Sequence, residues 1–262
     1  MADPDDTRIC VDRVLPDETH PAAAAAHRAV AEAAALAEGT PAAEIDAAGV
    51  IPVARLALIR LKMWENGKTL RCRFLDGEAT QREKAQAKAQ IWEQYANVDF
   101  QFVDDGDAEI RISFSADPGS WSAIGTDALV EAYFPKHQPT MNFGWLRADT
   151  ADEEYERVVV HEFGHALGCI HEHQNPAGGL RWNTDEVYRV FSGPPNYWSK
   201  EEIDHNILDH YSQTQTQFTA FDPDSIMLYH FPANLFTDRQ GTNENTHLSQ
   251  TDMTFISQMY PK

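Results

Sequence analysis

Apolar and polar positions alternate in two rhythms along this chain, and the rhythms mark out its elements. Near residue 70 the period is two. Leu70, Cys72 and Phe74 face one way and Arg71 and Arg73 the other, which predicts a half-buried strand closed by Asp76-Gly77. Residues 97–103 repeat the pattern with Phe100 and Phe102 on one face. In residues 108–114, Ala108, Ile110, Ile112 and Phe114 alternate with Glu109, Arg111 and Ser113, the clearest strand of all. Between the first two strands the period turns helical, with Ala85, Ala89, Trp92 and Tyr95 sharing one face over residues 81–96. Strand, helix, strand, strand predicts an α+β fold with a mixed sheet and helices packed on it.

The intervening segments read as punctuation. Asp104-Asp105-Gly106-Asp107 is a solvated acidic turn, because it lacks the spaced ligands of a calcium loop. Gly119-Ser120-Trp121-Ser122 and Gly125 predict a surface loop. Residues 140–146 predict another strand, with Met141, Phe143 and Trp145 on one side and Asn142 and Gly144 on the other. Asp152-Glu153-Glu154 then opens a helix whose apolar face is Tyr155, Val158, Val159, Phe163, Ala166 and Leu167. A short helix from Trp182 stops before Gly193-Pro194-Pro195, and Ile203, Ile207, Leu208 and Tyr211 have helical spacing. Ser249 caps a final helix with Met253, Ile256, Met259 and Tyr260 on its buried side. At the other end, the alanine-rich residues 21–38, with Pro21 before and Gly39 after, predict a helix, and Thr40-Pro41 a second short one.

The chemistry is concentrated in one stretch, His161-Glu162-Phe163-Gly164-His165-Ala166-Leu167-Gly168-Cys169-Ile170-His171. On a helix, His161 and His165 project from the same face one turn apart. Two neutral imidazoles so placed hold zinc at about 2.0–2.1 Å per nitrogen. Gly168 supplies the left-handed residue that ends the helix and swings the chain back, which brings His171 to the metal as third ligand. Glu162 is not needed for coordination, and its natural role is to take a proton from the attacking water. His173, His205, His210 and His230 lie outside the motif and are not assigned to the metal.

The pattern H-E-x-x-H-x-x-G-x-x-H resembles the signature of the metzincin clan of zinc peptidases, and Glu172 extends it to the form of the astacin family. Further on, Ser225-Ile226-Met227-Leu228-Tyr229 resembles the astacin Met-turn, with Leu228 where that family usually has histidine. The resemblance covers roughly residues 65–262. It implies a two-lobed catalytic domain over 56–262, with an upper lobe of 56–168 carrying two long helices above the cleft. The lower lobe, 169–262, is irregular and holds the Met-turn and a C-terminal helix. It also implies one catalytic Zn2+, Met227 packed beneath it, Tyr229 close enough to bond an oxyanion, and Gly168 and Glu172 as supports. By the same resemblance, the strand of Asn142 and Gly144 is the open edge that binds an extended peptide.

Residues 1–55 form an N-terminal arm outside the resemblance. Many metzincins carry a prosegment that covers the zinc, and Cys10 is the candidate latency ligand because a thiolate binds zinc well. An ordinary small buried side chain is the other reading of Cys10. Cys72 falls on the apolar side of its strand and reads as core. With Cys169 the total is three cysteines, which is no disulfide framework and departs from the common astacin pattern.

Composition narrows the rest. The 262 residues are 42% hydrophobic and 24% charged, as in a soluble globular protein with a real core. A net charge of −20 repels phosphates and argues against nucleic acid as partner. No apolar run is long enough to span a membrane, and no signal peptide is visible at Met1-Ala2-Asp3-Pro4, so an intracellular location, a non-standard export route or a trimmed sequence is expected. The expected function is zinc-dependent endopeptidase action on a protein or peptide substrate. The alternatives are a zinc-stabilised binding module without turnover, and a latent protease inhibited by its own arm.

Overall fold

The computed structural model describes residues 62–116, 119–194, 196–210 and 220–262, with the strand backbones of 58–59 and 216–217. The arm, with Cys10 and its expected helices, and Tyr211 fall outside the described residues. The strands are β1 (Leu58–Ile59), β2 (Thr69–Phe74), β3 (Asp99–Phe102), β4 (Ile110–Ser113), β5 (Trp121–Ser122), β6 (Met141–Asn142) and β7 (Thr216–Gln217). Five of them form a mixed sheet in the order β3-β2-β4-β6-β5, in which only β5 runs antiparallel to its neighbour. β1 pairs with β7 in a separate antiparallel ribbon.

Parallel neighbours β2 and β3 need a crossover, and α1 (Ala79–Ala89) supplies it, opened by a capping box between Glu78 and Gln81. The helix expected over 81–96 stops early. A 3-10 turn at Trp92–Gln94 drives the Trp92 ring inward, and its Nε1 donates to Val160 O (2.9 Å) in α2 (Asp152–Ala166). α1 lies against α2, and Lys84–Asp152 (2.9 Å) and Lys88–Glu156 (2.7 Å) tie the two helices at the surface.

Local alternation misses two features for one reason. β4 alternates in sequence, yet all four of its residues are buried. Arg111 lies inside with its guanidinium donating to the carbonyls of Gln138 (2.7 Å), Phe134 (2.9 Å) and Ala108 (3.1 Å). The expected surface loop at 119–125 is buried from Ser120 through Gly125 and supplies β5. Both results follow from segments later in the chain folding over the sheet, which local periodicity does not register.

The second part of the chain has α3 (Thr184–Phe191), α4 (Lys200–Ile203) running into a π-helical turn at Asp204–Leu208, and α5 (Gln250–Met259). Ser249 caps α5 as expected, with Phe255, Ile256 and Tyr260 buried and Met253 and Met259 only partly so. Two apolar cores result among the described residues. The larger joins the sheet, α1 and α2 to Ile226, Met227 and α5; the smaller gathers Val187, Phe191, Ile203, Ile207, Tyr229, Phe231, Leu235 and Phe236. The chain passes from one core to the other at Leu228.

Candidate active site

α2 carries the centre of the site. Three acidic residues occupy its first turn, where the helix dipole favours them. At its end Gly168 takes φ +98°, with Cys169 N–H donating to Gly164 O (3.0 Å) and Gly168 N–H to His165 O (2.8 Å). That is a Schellman cap, and it requires the left-handed residue that glycine adopts without penalty. The remaining terminal carbonyls are not left orphaned: Trp64 Nε1 donates to Ala166 O (2.6 Å) and the Tyr260 hydroxyl to Leu167 O (2.8 Å).

This turn brings His171 back to the helix. His161, His165 and His171 are all buried and offer one ligand atom each within 4.8 Å of one another. His165 Nε2 stands 3.1 Å from His161 Nε2 and 3.0 Å from His171 Nε2. His161 Nδ1 donates to Ile226 O and His165 Nδ1 to Cys169 O, both at 2.8 Å. A carbonyl only accepts, so both rings carry their proton on Nδ1 and turn the Nε2 lone pair inward. Lone pairs converging in a dry site repel unless a cation sits among them. Tetrahedral zinc would set its nitrogen ligands roughly 3.3 Å apart, close to the spacing found. The donor set therefore fits zinc.

Glu162 is buried and lines a cavity together with His161, Tyr229, Trp145, Arg157 and Leu228. The Tyr229 hydroxyl meets His171 Nε2, which places the phenol at the edge of the histidine cluster. Glu172 joins the two chain segments that carry these groups. Its amide donates to Met227 O (2.9 Å), and its carboxylate accepts from Asn175 Nδ2 (2.9 Å) and Asp222 N–H (2.8 Å). Burial pushes its pKa to about 8 despite those two hydrogen bonds. Met227 lies beneath the helix, where a Cβ on Gly164 would come 2.5 Å from its sulfur.

The expected substrate strand needs correction. β6 is an interior strand, paired with β4 on one side and β5 on the other. The Asn142 side chain is buried, donating to Ser115 O and Gly119 O and accepting from Ser115 N–H. Gly144 donates its N–H to Ser120 Oγ (3.0 Å). On the β6 side the sheet ends at β5, Trp121–Ser122, the stretch expected to be loop. Of the extra histidines, His173 Nε2 faces Asn206 O (3.0 Å) and His230 Nδ1 faces Thr242 O (2.9 Å); neither they nor His205 and His210 join the cluster. Cys72 and Cys169 are free, buried thiols whose pKa burial raises.

Sequence reasoning missed three supports. Gly164 reads as an unspecified position inside the motif. Ser225 reads only as part of the Met-turn and Asp252 only as part of a helix start, yet both are fully buried and bonded at 2.8 Å. The one available signal was the capping pattern Ser249-x-x-Asp252, which located the helix but not what its carboxylate reaches.

A sheet with one antiparallel edge, a capped helix carrying two histidines and a third on the return define a three-histidine metallopeptidase centre. The family model for matrixin matches residues 63–178. No curated protein matches the chain. Among solved structures, myroilysin is 43% identical, with 79% of this chain and 98% of that one covered and a TM-score of 0.76. A second myroilysin crystal structure gives 43% identity, 77% and 86% coverage and a TM-score of 0.61. High choriolytic enzyme 1, a hatching enzyme zinc-protease from Oryzias latipes (medaka fish), is 16% identical, with 76% and 94% covered and a TM-score of 0.47. The chain belongs to the metzincin zinc metallopeptidases. It is a zinc metalloendopeptidase, and a protein or peptide is its substrate. Among the described residues, no helix is long and apolar enough to cross a membrane.

Proposed function

We propose that this endopeptidase works with one zinc ion held by His161, His165 and His171, with Glu162 as general base and Tyr229 as the residue that receives the oxyanion. When bound, zinc supplies the Lewis acidity that polarises the scissile carbonyl and the attacking water. The observation that carries the reading is the buried convergence of three Nε2 atoms, one of them on His161, which lines a cavity with Glu162 and Tyr229. Glu162 follows the first ligand directly and is not one of the three clustered ligands. Its carboxylate takes the proton of the water and later delivers it to the departing amine. The Tyr229 hydroxyl donates to the carbonyl oxygen as that oxygen gains charge. An extended substrate adds to the sheet along β5, Trp121–Ser122, which stands last in the sheet order beyond β6.

The test is Glu162→Gln, which keeps shape and hydrogen bonding while removing the base. Casein or peptide turnover should fall about 10²–10⁴-fold, the usual worth of a positioned base, and metal analysis should still find zinc. Turnover near the wild-type rate with zinc present sinks this mechanism.

A further inference from the structure

His161 is held by more than a carbonyl. Its Nδ1 donates to Ile226 O (2.8 Å), and the N–H of that same peptide unit, on Met227, donates to Ser225 Oγ (3.1 Å). The single hydroxyl proton of Ser225 goes in turn to Asp252 Oδ1 (2.8 Å). The other carboxylate oxygen accepts from Ile226 N–H (2.8 Å) and Ser249 N–H (2.9 Å), which fixes its orientation. Ser225, Ile226, Met227 and Asp252 are all at most 1% exposed, so water does not compete for these bonds. Hydrogen bonds linked in one direction through a dry interior polarise one another.

We infer that Asp252 is a positioning residue of the metal site, acting on His161 through Ser225 and the peptide unit between Ile226 and Met227. The inference rests on the three-histidine zinc reading above. The carboxylate makes Ser225 Oγ a better acceptor, the peptide unit then presents a more negative Ile226 oxygen, and His161 Nε2 becomes the more basic ligand. His165 provides the contrast, since its Nδ1 ends on Cys169 O inside the cap of its own helix. Two ligands on one helix are thus backed by different groups.

Asp252→Asn keeps the size of the side chain and an acceptor for Ile226 N–H but removes the charge. Zinc affinity of the full chain, measured by competition with a chromophoric chelator, should fall about tenfold, the lower end for lost outer-shell partners. Ser225→Ala should give a similar loss, and the double variant should be no weaker than the weaker single, because both interrupt one chain. In proton–nitrogen NMR of the ring groups, the His161 Nδ1–H resonance should move upfield while that of His165 stays. Affinity within twofold of wild type with an unmoved His161 resonance overturns the relay. Equal movement of both resonances also overturns it, by showing general loosening. A wild-type chain that takes up no zinc is a different failure, that of the zinc reading itself.

Discussion

The two sides of the site are built by different means. His161 and His165 ride on α2, whose flank is packed into the larger core by Trp92, Phe163 and Met227. Ring contacts such as Phe100–Phe163, edge to face at 4.9 Å, stiffen that side. His171 and Tyr229 lie on irregular segments whose positions are set by hydrogen bonds: Glu172 to Asn175 and Asp222, and Asp252 to Ser225 and Ile226. The metal ligands therefore span a seam between a side fixed by packing and a side fixed by polar contacts. A rigid helix gives precision to the ligands, and a bonded turn carries Tyr229 from the smaller apolar core to the edge of the cluster.

If the polar side contributes chemistry more than cohesion, removing one hydroxyl should injure rate and spare stability. Tyr229→Phe keeps the ring among His173 and Phe231 and deletes only the group at His171. We expect kcat to fall roughly 10²-fold, as for loss of one oxyanion donor, with KM and zinc content little changed. A large fall in melting temperature with unchanged kcat would reverse the comparison. The packed side should respond in the opposite sense. Gly164→Ala gains helix propensity of about 1 kcal/mol. Its new Cβ meets Met227 Sδ at 2.5 Å and Trp92 Cζ2 at 3.2 Å, in a core that does not yield easily. Overpacking of this kind costs about 1–3 kcal/mol. Urea titration should show a net loss, recovered in part when Met227→Ala is added. Additive losses would mean that Met227 does not set the limit on Gly164.

Legibility from sequence follows the same division. β2, α2 and α5 were readable because their apolar faces repeat at 2 or 3.6 residues, and the histidine cluster because helix geometry and a glycine turn fix its spacing. β5 was not readable. Two residues carry no period, and Trp121–Ser122 looks like loop until 140–144 folds beside it. The resemblance put the edge on the strand of Asn142 and Gly144, which is interior. The burial of Arg111 was not readable because its partners are backbone carbonyls, which leave no side-chain signature. Asp252 was missed for a related reason: its partners at 225–226 are far away in sequence.

The acids on the two sides should also respond oppositely to pH. On the packed side, the Lys84 hydrogen bond lowers the Asp152 pKa. Burial works to raise Glu156, but Lys88 and His247 hold it low. Their folded pKa values lie below the unfolded ones, so what they add is present at neutral pH and is lost as pH falls. Both pairs reach the surface, which keeps that contribution small. Asp252 has the other sign. Burial first, with nearby Asp222, raises it to about 6 from 3.8, against the pull of Ile226, Ser249 and Ser225. The native state thus holds the proton more tightly, and the stabilisation from this group is fully present below pH 3.8 and lost as pH rises through about 6. Asp252→Asn should therefore flatten the dependence of the urea midpoint on pH across this window. A difference between wild type and variant that is constant from pH 4 to 7 would mean that Asp252 titrates alike folded and unfolded. The buried tether would then be no costlier to ionise than a surface acid, and the contrast between the two sides would rest on packing alone.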